Sequence, residues 1–474
     1  MKENNGKEKI VLFGAGNVGK SSLNIIDNSR IIYFVDNDEG KDGTYIKNYP
    51  VKHIANISVE ELKNFHIIIT ISRKFLPEAK KQLEGLGIYD YECFSDILRK
   101  IGKEKKNNSI NGIDVYKKAT KWILSNTIQE SKGCSVVNNS ELLLGYPEVS
   151  GYYIPSLLKW GFKELASSYV DWLVSIQNDD GSFMDTEGKS PYIFDTAQVL
   201  KGLLVARQEI GKKHDDAILK ASNWIISNMN ENGRLVTPDI TEWGSDRSLE
   251  LIHLYCISPL YEAAHVLNNH EIKQAADKIK KYYLENHLEE ILAFKRLIHF
   301  HAYLMEALLD IGEIKYAREG MKSLEHYVDD LGYVPAYSDK RWVCSTGLFQ
   351  LAVVWYRLDN LKYGDKVFDY AIKLQNKTGG WYGSYMTDDA SSNEEDNDYF
   401  PVSEISWANK FFLDALYYKL KATSELYAPS FQNGEISIFD GRYKEVESFL
   451  EKAYSSANKD SFKVLDVGGV TEGI

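Results

Sequence analysis

The chain has 474 residues, 44% hydrophobic and 12% aromatic, with 56 Lys and Arg against 68 Asp and Glu. That composition excludes a disordered chain, and the net charge of -12 argues against a general nucleic-acid surface, which needs clustered basic residues. MKENNGKEK at the start lacks the apolar core of a signal peptide, and no apolar run reaches about 18 residues. Four scattered cysteines (Cys93, Cys134, Cys256, Cys344) form no CxxC, so the expectation is a reduced, cytoplasmic protein with length for roughly two to four domains.

The first hundred residues alternate strand and helix. KIVLF (Lys9–Phe13) runs into GAGNVGK, IIYFVD ends at Asp36, IIITIS (Ile67–Ser72) forms a third strand, and a last one lies near Tyr91–Phe94. This rhythm predicts a Rossmann-like parallel sheet over residues 1–101. Gly14, Gly16 and Gly19 make GxGxxG between a strand and a helix, and Asp36 closes the second strand, where an acid accepts a ribose hydroxyl. These four residues form the candidate cofactor site, for a nucleotide, NAD or a nucleotide-sugar. The bland alternative is a set of glycines that serve only the turn. Residues 102–112, rich in Lys, Asn and Gly, read as a linker.

From about Ile113 the pattern is helical and repetitive. Apolar helices end in polar turns with glycines at 133, 181, 233, 332 and 380, spaced by 48, 52, 99 and 48 residues. The long gap holds a copy without its glycine near Tyr282–Ile291, which makes six repeats of about 50 residues. Each repeat then continues into a richly apolar helix, beginning near Ser150, Asp195, Leu249, His299, Ser345 and Ser406. Six hairpins with one buried helix each predict an (α/α)6 toroid over residues 113–421, the count favouring a closed ring over an open solenoid.

In such a ring the starts of the inner helices line the cavity mouth. The candidate catalytic residues there are Glu148, Asp195, His299 and Glu404, with Glu250, His253, His301, Cys344 and Ser345 beside them. Tyr153, Trp342, Trp381 and Trp407 are the candidate substrate platforms, among further rings at Tyr152, Tyr192, Trp243, Tyr385 and Tyr399. Facing carboxylates among aromatic rings suit a carbohydrate: one carboxyl protonates a leaving oxygen while another activates water. A His/Tyr set would instead abstract a sugar C5 proton. Against this stand structural readings, with Asp195 and Ser150 as helix caps and Glu404 as a partner of a helix dipole. His299 and His301, two apart on one helix, point in different directions, so no shared metal is expected. Cys344 reads as a small buried residue, and Asp388–Asp398 as a solvated loop rather than a calcium site.

FGAGNVGK, YFVDND and QLEGLGI resemble the small Rossmann-like domains of bacterial sugar-tailoring and surface-polysaccharide biosynthesis proteins. The helical part resembles the six-hairpin toroid superfamily of terpenoid cyclases, prenyltransferase relatives, glycosidases and polysaccharide lyases: QNDDGSF looks like a QW-type repeat of the cyclase group, while EVSGYYIP, FDTAQVLKGLL, WVCSTGLFQLAVVW and EISWANKFFLDAL look more like toroid proteins of polysaccharide gene clusters. The DxDD of protonating cyclases and the zinc set of protein prenyltransferases are missing, which disfavours those chemistries. After a connecting segment (422–462), KVLDVGGVTEGI (Lys463–Ile474) resembles the first strand and glycine loop of an S-adenosylmethionine-dependent methyltransferase, with none of the later strands. The resemblances imply a protein of bacterial surface-polysaccharide or glycolipid biosynthesis that acts on a glycan as a hydrolase or lyase. The competing expectation is a non-catalytic glycan-binding scaffold whose N-terminal domain senses a nucleotide or nucleotide-sugar.

Overall fold

The computed structural model describes residues 9–23, 25–98, 100, 112–127, 136–138, 141–142, 144–238, 250–387, 399–423, 430–432 and 435–437. Trp243, the insert Asp388–Asp398 and the methyltransferase-like Lys463–Ile474 lie outside the described residues.

The N-terminal part is a mixed sheet of β1 (Ile10–Phe13), β2 (Ile31–Asp36), β3 (Tyr45–Ile46), β4 (Tyr49–His53), β5 (His66–Ile69) and β6 (Tyr91–Cys93) in the order β3-β4-β2-β1-β5-β6. Five strands are parallel and β3 is antiparallel to β4. The sequence reading does not include β3 and β4; β3 is only two residues long, and Pro50 in β4 weakens the strand signal. Both faces of the sheet are buried: Val11, Phe13 and Ile67 point into one core, Ile10, Leu12 and Ile68 into another. Two buried faces explain the unbroken apolar strands. Short helices α1 (Asn17–Ser22) and α2 (Val59–Lys63), and the longer α3 (Leu76–Gly85), connect the strands.

The rest is a ring of helical hairpins. The outer helices are α4 (Gly112–Ser125), α6 (Lys163–Ile176), α8 (Asp215–Ser227), α10 (His270–Leu292), α12 (Ile314–Leu324) and α14 (Leu361–Lys373). The inner helices are α5 (Pro147–Lys159), α7 (Ile193–Ile210), α9 (Ile257–Val266, led in by a 3-10 turn at Ile252–Cys256), α11 (Ile298–Asp310), α13 (Ser345–Arg357) and α15 (Ser406–Thr423). Burial separates the two sets. Every residue of α13 from Ser345 to Tyr356 is buried, whereas α12 buries only Ala317, Gly320, Met321 and Leu324, a single helical stripe.

One turn device joins neighbouring repeats. Gly181, Gly233, Gly332 and Gly379 have φ of +98°, +95°, +99° and +103°. A Cβ at each would lie 2.0–2.5 Å from a lysine carbonyl on an outer helix of the following repeat, at Lys220, Lys278, Lys366 and Lys118 respectively. The last contact returns to α4 and closes the ring. In that repeat the positive φ falls on Gly379, one residue before the glycine marked by spacing. Gln177 Nε2 donates to Ala217 O, and Gln375 Nε2 donates to Val115 O at the closing joint, the same bond at two places. Trp160 Nε1 donating to Leu413 O adds a tie between α5 and α15. Among the described residues no helix is long and apolar enough to cross a membrane.

Candidate functional site

Glycine contacts set the geometry of the inner helices. A Cβ on Gly151 would sit 2.5 Å from Val199 Cα, so α5 and α7 approach backbone to backbone. Glu148 lies one turn before Gly151 and Asp195 one turn before Val199, so the approach brings the two carboxylates together. Both are buried, at 7% and 1% exposure. Burial raises Glu148 well above the ordinary carboxylate range, the negative charge of Asp195 adds to the rise, and Lys410 opposes it. Burial, with a contribution from Asp185, pushes Asp195 up to about 8. Its Oδ2 has no hydrogen-bond partner.

Gly347 plays a similar part between α13 and α11, where its Cβ would meet Ile298 Cγ2 at 2.4 Å and His299 N at 3.0 Å. One turn on, Gln350 Oε1 meets His299 Nδ1. An amide oxygen only accepts, so Nδ1 carries the proton and Nε2 is left as the acceptor of a neutral ring. Burial, the largest influence on its pKa, lowers His299 to about 3, and it stays uncharged. Its ring packs on Tyr303 at 4.5 Å and near Phe411 and Tyr399 at 6.0 and 6.1 Å. His301 turns away, toward Phe294 and Arg296. His253 faces Tyr283 and Thr237.

Tyr399 ties this group to Trp407, whose indole N–H donates to the Tyr399 hydroxyl at 2.9 Å. Trp407 also packs on Tyr146. The charge of Glu148 acts on Tyr146, Tyr152, Tyr303 and Tyr399, which places it within a ring of phenols. Lys410, 4% exposed, lies 3.6 Å from the Phe411 ring centroid and pairs with Asp414 at 2.8 Å.

Other residues singled out in the sequence lie elsewhere. Glu404 is buried but engaged: Oε2 accepts from Trp122 Nε1 at 2.6 Å, while Oε1 accepts from Asn376 Nδ2 at 2.8 Å and from the Thr378 hydroxyl. Trp381 sits between Phe349 and Phe412 and donates to Ala371 O, an inner-to-outer packing position. Tyr153 is wholly buried, and Trp342 packs edge-on to Tyr337. Glu250 pairs with Arg234. The Cys344 thiol is buried and pushed up to about 12, which leaves no nucleophilic thiolate at neutral pH. Among the described residues no group of His, Cys, Asp and Glu is arranged to hold a metal. Sequence reasoning missed Gln350, Lys410, Tyr146 and Tyr303. A polar residue inside the apolar runs STGLFQLAVVW and SWANKFFLDAL is the signal that finds the first two.

Beyond the ring, the N-terminal sheet carries a cleft of about 440 Å³ at the carboxyl ends of β1, β2 and β5, lined by Gly14, Gly16, Asp36, Lys41, Thr70 and Gln82 among others. Gly14 is required by φ +119° and by Thr70 O, 2.6 Å from its would-be Cβ. Gly19 is required by Gly14 O at 2.0 Å, but Gly16 has φ -89° and open space where a side chain would go. Asp36 Oδ2 accepts from Ala15 N at 2.7 Å and pairs with Lys41 at 3.2 Å. Those bonds hold Asp36 below the ordinary range despite burial.

The family described as C2185-like, N-terminal, matches residues 6–94, the sheet domain. No curated protein matches the sequence. The helical ring is similar to an alpha-amylase from Clostridium perfringens, with 14% identity and TM-score 0.50, covering 64% of this chain and 96% of that one. It is also similar to a glycosidase in complex with glucose (8%, TM-score 0.51, 66% and 99%) and to a D-mannose isomerase (11%, 0.50, 66% and 98%). At these identities the likeness shows fold alone. The helical part is an (α/α)6 toroid of the kind these carbohydrate-active proteins use.

Proposed function

We propose that the toroid hydrolyses a glycosidic bond, with Glu148 and Asp195 as its acid–base pair. The observation that carries this is two buried carboxylates brought together by a glycine contact. Asp195, unpartnered at Oδ2 and protonated at neutral pH, gives its proton to the leaving oxygen. Glu148, whose rise the Lys410 charge opposes, is the carboxylate that acts on the opposite side of the sugar. His299 Nε2 accepts a sugar hydroxyl, and Tyr399 with Trp407 covers a ring face. Glu404 has a structural part in this reading, and so does Trp381. Sugar-bearing neighbours of the same fold support a glycan substrate, and a place in surface-polysaccharide or glycolipid biosynthesis is the biological setting we infer. The test is release of reducing sugar or aglycone from a panel of aryl glycosides and oligosaccharides by the full chain. Unchanged turnover in both Glu148→Gln and Asp195→Asn would remove the assignment.

The N-terminal cleft supports a second, ligand-binding reading of a Rossmann-like domain. Gly16 lacks a reason inside the protein, which an occupant passing close to its backbone would supply. A nucleotide, NAD or a nucleotide-sugar fits a cleft with Asp36 at one end; such a group supplies recognition there, while Asp36 and Lys41 hold the sugar end. Thermal shift with each ligand checks this, and Gly16→Val, which only fills open space, should abolish the shift while leaving the unliganded melting temperature unchanged.

A further inference from the structure

Below the mouth, the inner helices carry charges at their inward faces. Lys159 pairs with Asp414 at 3.4 Å and Lys410 with the same carboxylate at 2.8 Å. Lys201 pairs with Asp310 at 3.1 Å and Arg357 with Asp310 at 2.7 Å. These four cations come from α5, α7, α13 and α15, and each is already matched to a carboxylate. Lys201 is further bonded to the Tyr255 hydroxyl at 2.9 Å.

Glu306 lies in the middle of them. Its charge acts on Lys159, Lys201, Arg357 and Lys410, groups on four other helices, so its carboxylate lies within reach of all four. It is 7% exposed, the Tyr255 hydroxyl donates to its carboxylate, Arg357 approaches no nearer than 3.8 Å, and its Oε2 has no hydrogen-bond partner. Glu306 follows His299 by seven residues on α11, so it sits on the same face roughly 10 Å deeper. Two buried carboxyl oxygens therefore lack partners: Asp195 Oδ2 above, which carries the proton in the reading given earlier, and Glu306 Oε2 below, an acceptor without a donor. A buried polar atom without a partner costs stability, and a bound ligand that supplies the donor removes the cost.

We infer that the toroid site takes a neutral, hydroxyl-rich sugar and rejects a uronic acid. Sugar hydroxyls, which both donate and accept, are the partners that Asp195 Oδ2 and Glu306 Oε2 lack. A sugar carboxylate would enter beside Glu148 and Glu306 and would find the neighbouring cations already engaged by Asp310 and Asp414. The inference rests on the glycan reading above and deepens it, because it also separates hydrolysis from elimination. A lyase needs the C6 carboxylate to acidify the C5 proton, and a neutral sugar has none. Hydrolysis needs only water: the C1–O bond breaks, the acid's proton goes to the leaving oxygen, water's oxygen bonds to C1 and its proton goes to the base.

The experiment is saturation-transfer NMR of the full chain with methyl glycosides of glucose, galactose and mannose against those of glucuronic and galacturonic acid at pH 7. Neutral glycosides should bind at least ten-fold tighter than their uronic counterparts, and Glu306→Gln, which removes a charge, should narrow that ratio several-fold. Uronic glycosides binding as well as neutral ones would overturn the inference while leaving the glycan reading in place. Binding of neither class would overturn both. A ratio unchanged in Glu306→Gln, with a wild-type circular dichroism spectrum, would also overturn it.

Discussion

Asp195 is the residue on which pH acts most directly. An acid whose carboxyl titrates near 8 is protonated across the neutral range, so turnover should fall as pH rises through about 8. The same shift has a sign for stability. Between its ordinary value of 3.8 and about 8 the folded chain keeps a proton that the unfolded chain releases. That contribution is fully present below 3.8 and is lost as pH rises through about 8. Thermal melts of the wild type should therefore fall between pH 6 and pH 9 more steeply than those of Asp195→Asn, whose amide carries no charge to desolvate. At the mouth, loss of either carboxyl should lower kcat by about 10²- to 10⁴-fold, the usual range for acid–base catalysis, which rate measurements on Glu148→Gln and Asp195→Asn check. Glu148, Asp195 and His299 were legible in the sequence because they stand at the starts of apolar helices. Gln350 was not, because its role depends on His299, 51 residues away, and on which face of α13 meets α11.

At the scale of elements, the contact between α5 and α7 is what makes two carboxylates into a pair. Gly151→Ala would place a methyl 2.5 Å from Val199 Cα, and Gly202, whose own Cβ would lie 2.2 Å from Gly151 O, leaves the opposite helix no room to yield. Overpacking of this kind costs about 1–3 kcal/mol. Because the helices must part, Gly151→Ala should also lower kcat beyond any loss of folded protein, measurable as activity per folded molecule after a denaturant titration. The helices themselves were readable from burial period and turn glycines, both local properties. Strands β3 and β4 were not, since two residues and a proline-bearing segment acquire strand character only from the partner they lie against.

At the scale of the whole molecule, Glu404 and Trp122 hold the last repeat to the first. Replacing Glu404 by Gln leaves Trp122, Asn376 and Thr378 donors competing for one amide oxygen, a loss of about 1–3 kcal/mol for a buried donor left unmade. Calorimetry should show a lower melting temperature, with turnover per folded molecule close to wild type. Lost turnover at an unchanged melting temperature would instead return Glu404 to the catalytic set. Its position just before α15 matches that of mouth residues in other repeats, and only a bond spanning the chain distinguishes it. Val402, two residues earlier, is buried in the same cluster as Ile10, Leu12 and Phe34 of the sheet domain, so this one segment belongs to both parts of the protein.

Trp122 and Glu404 are 282 residues apart. At roughly 5–20 residues per second, a ribosome needs roughly 15–60 s to make that stretch. During that time α4 exists with its apolar stripe made and its closing partner not yet synthesised. Until then the ring cannot close at that joint, so translation speed sets the least time for which this edge of α4 stays uncovered.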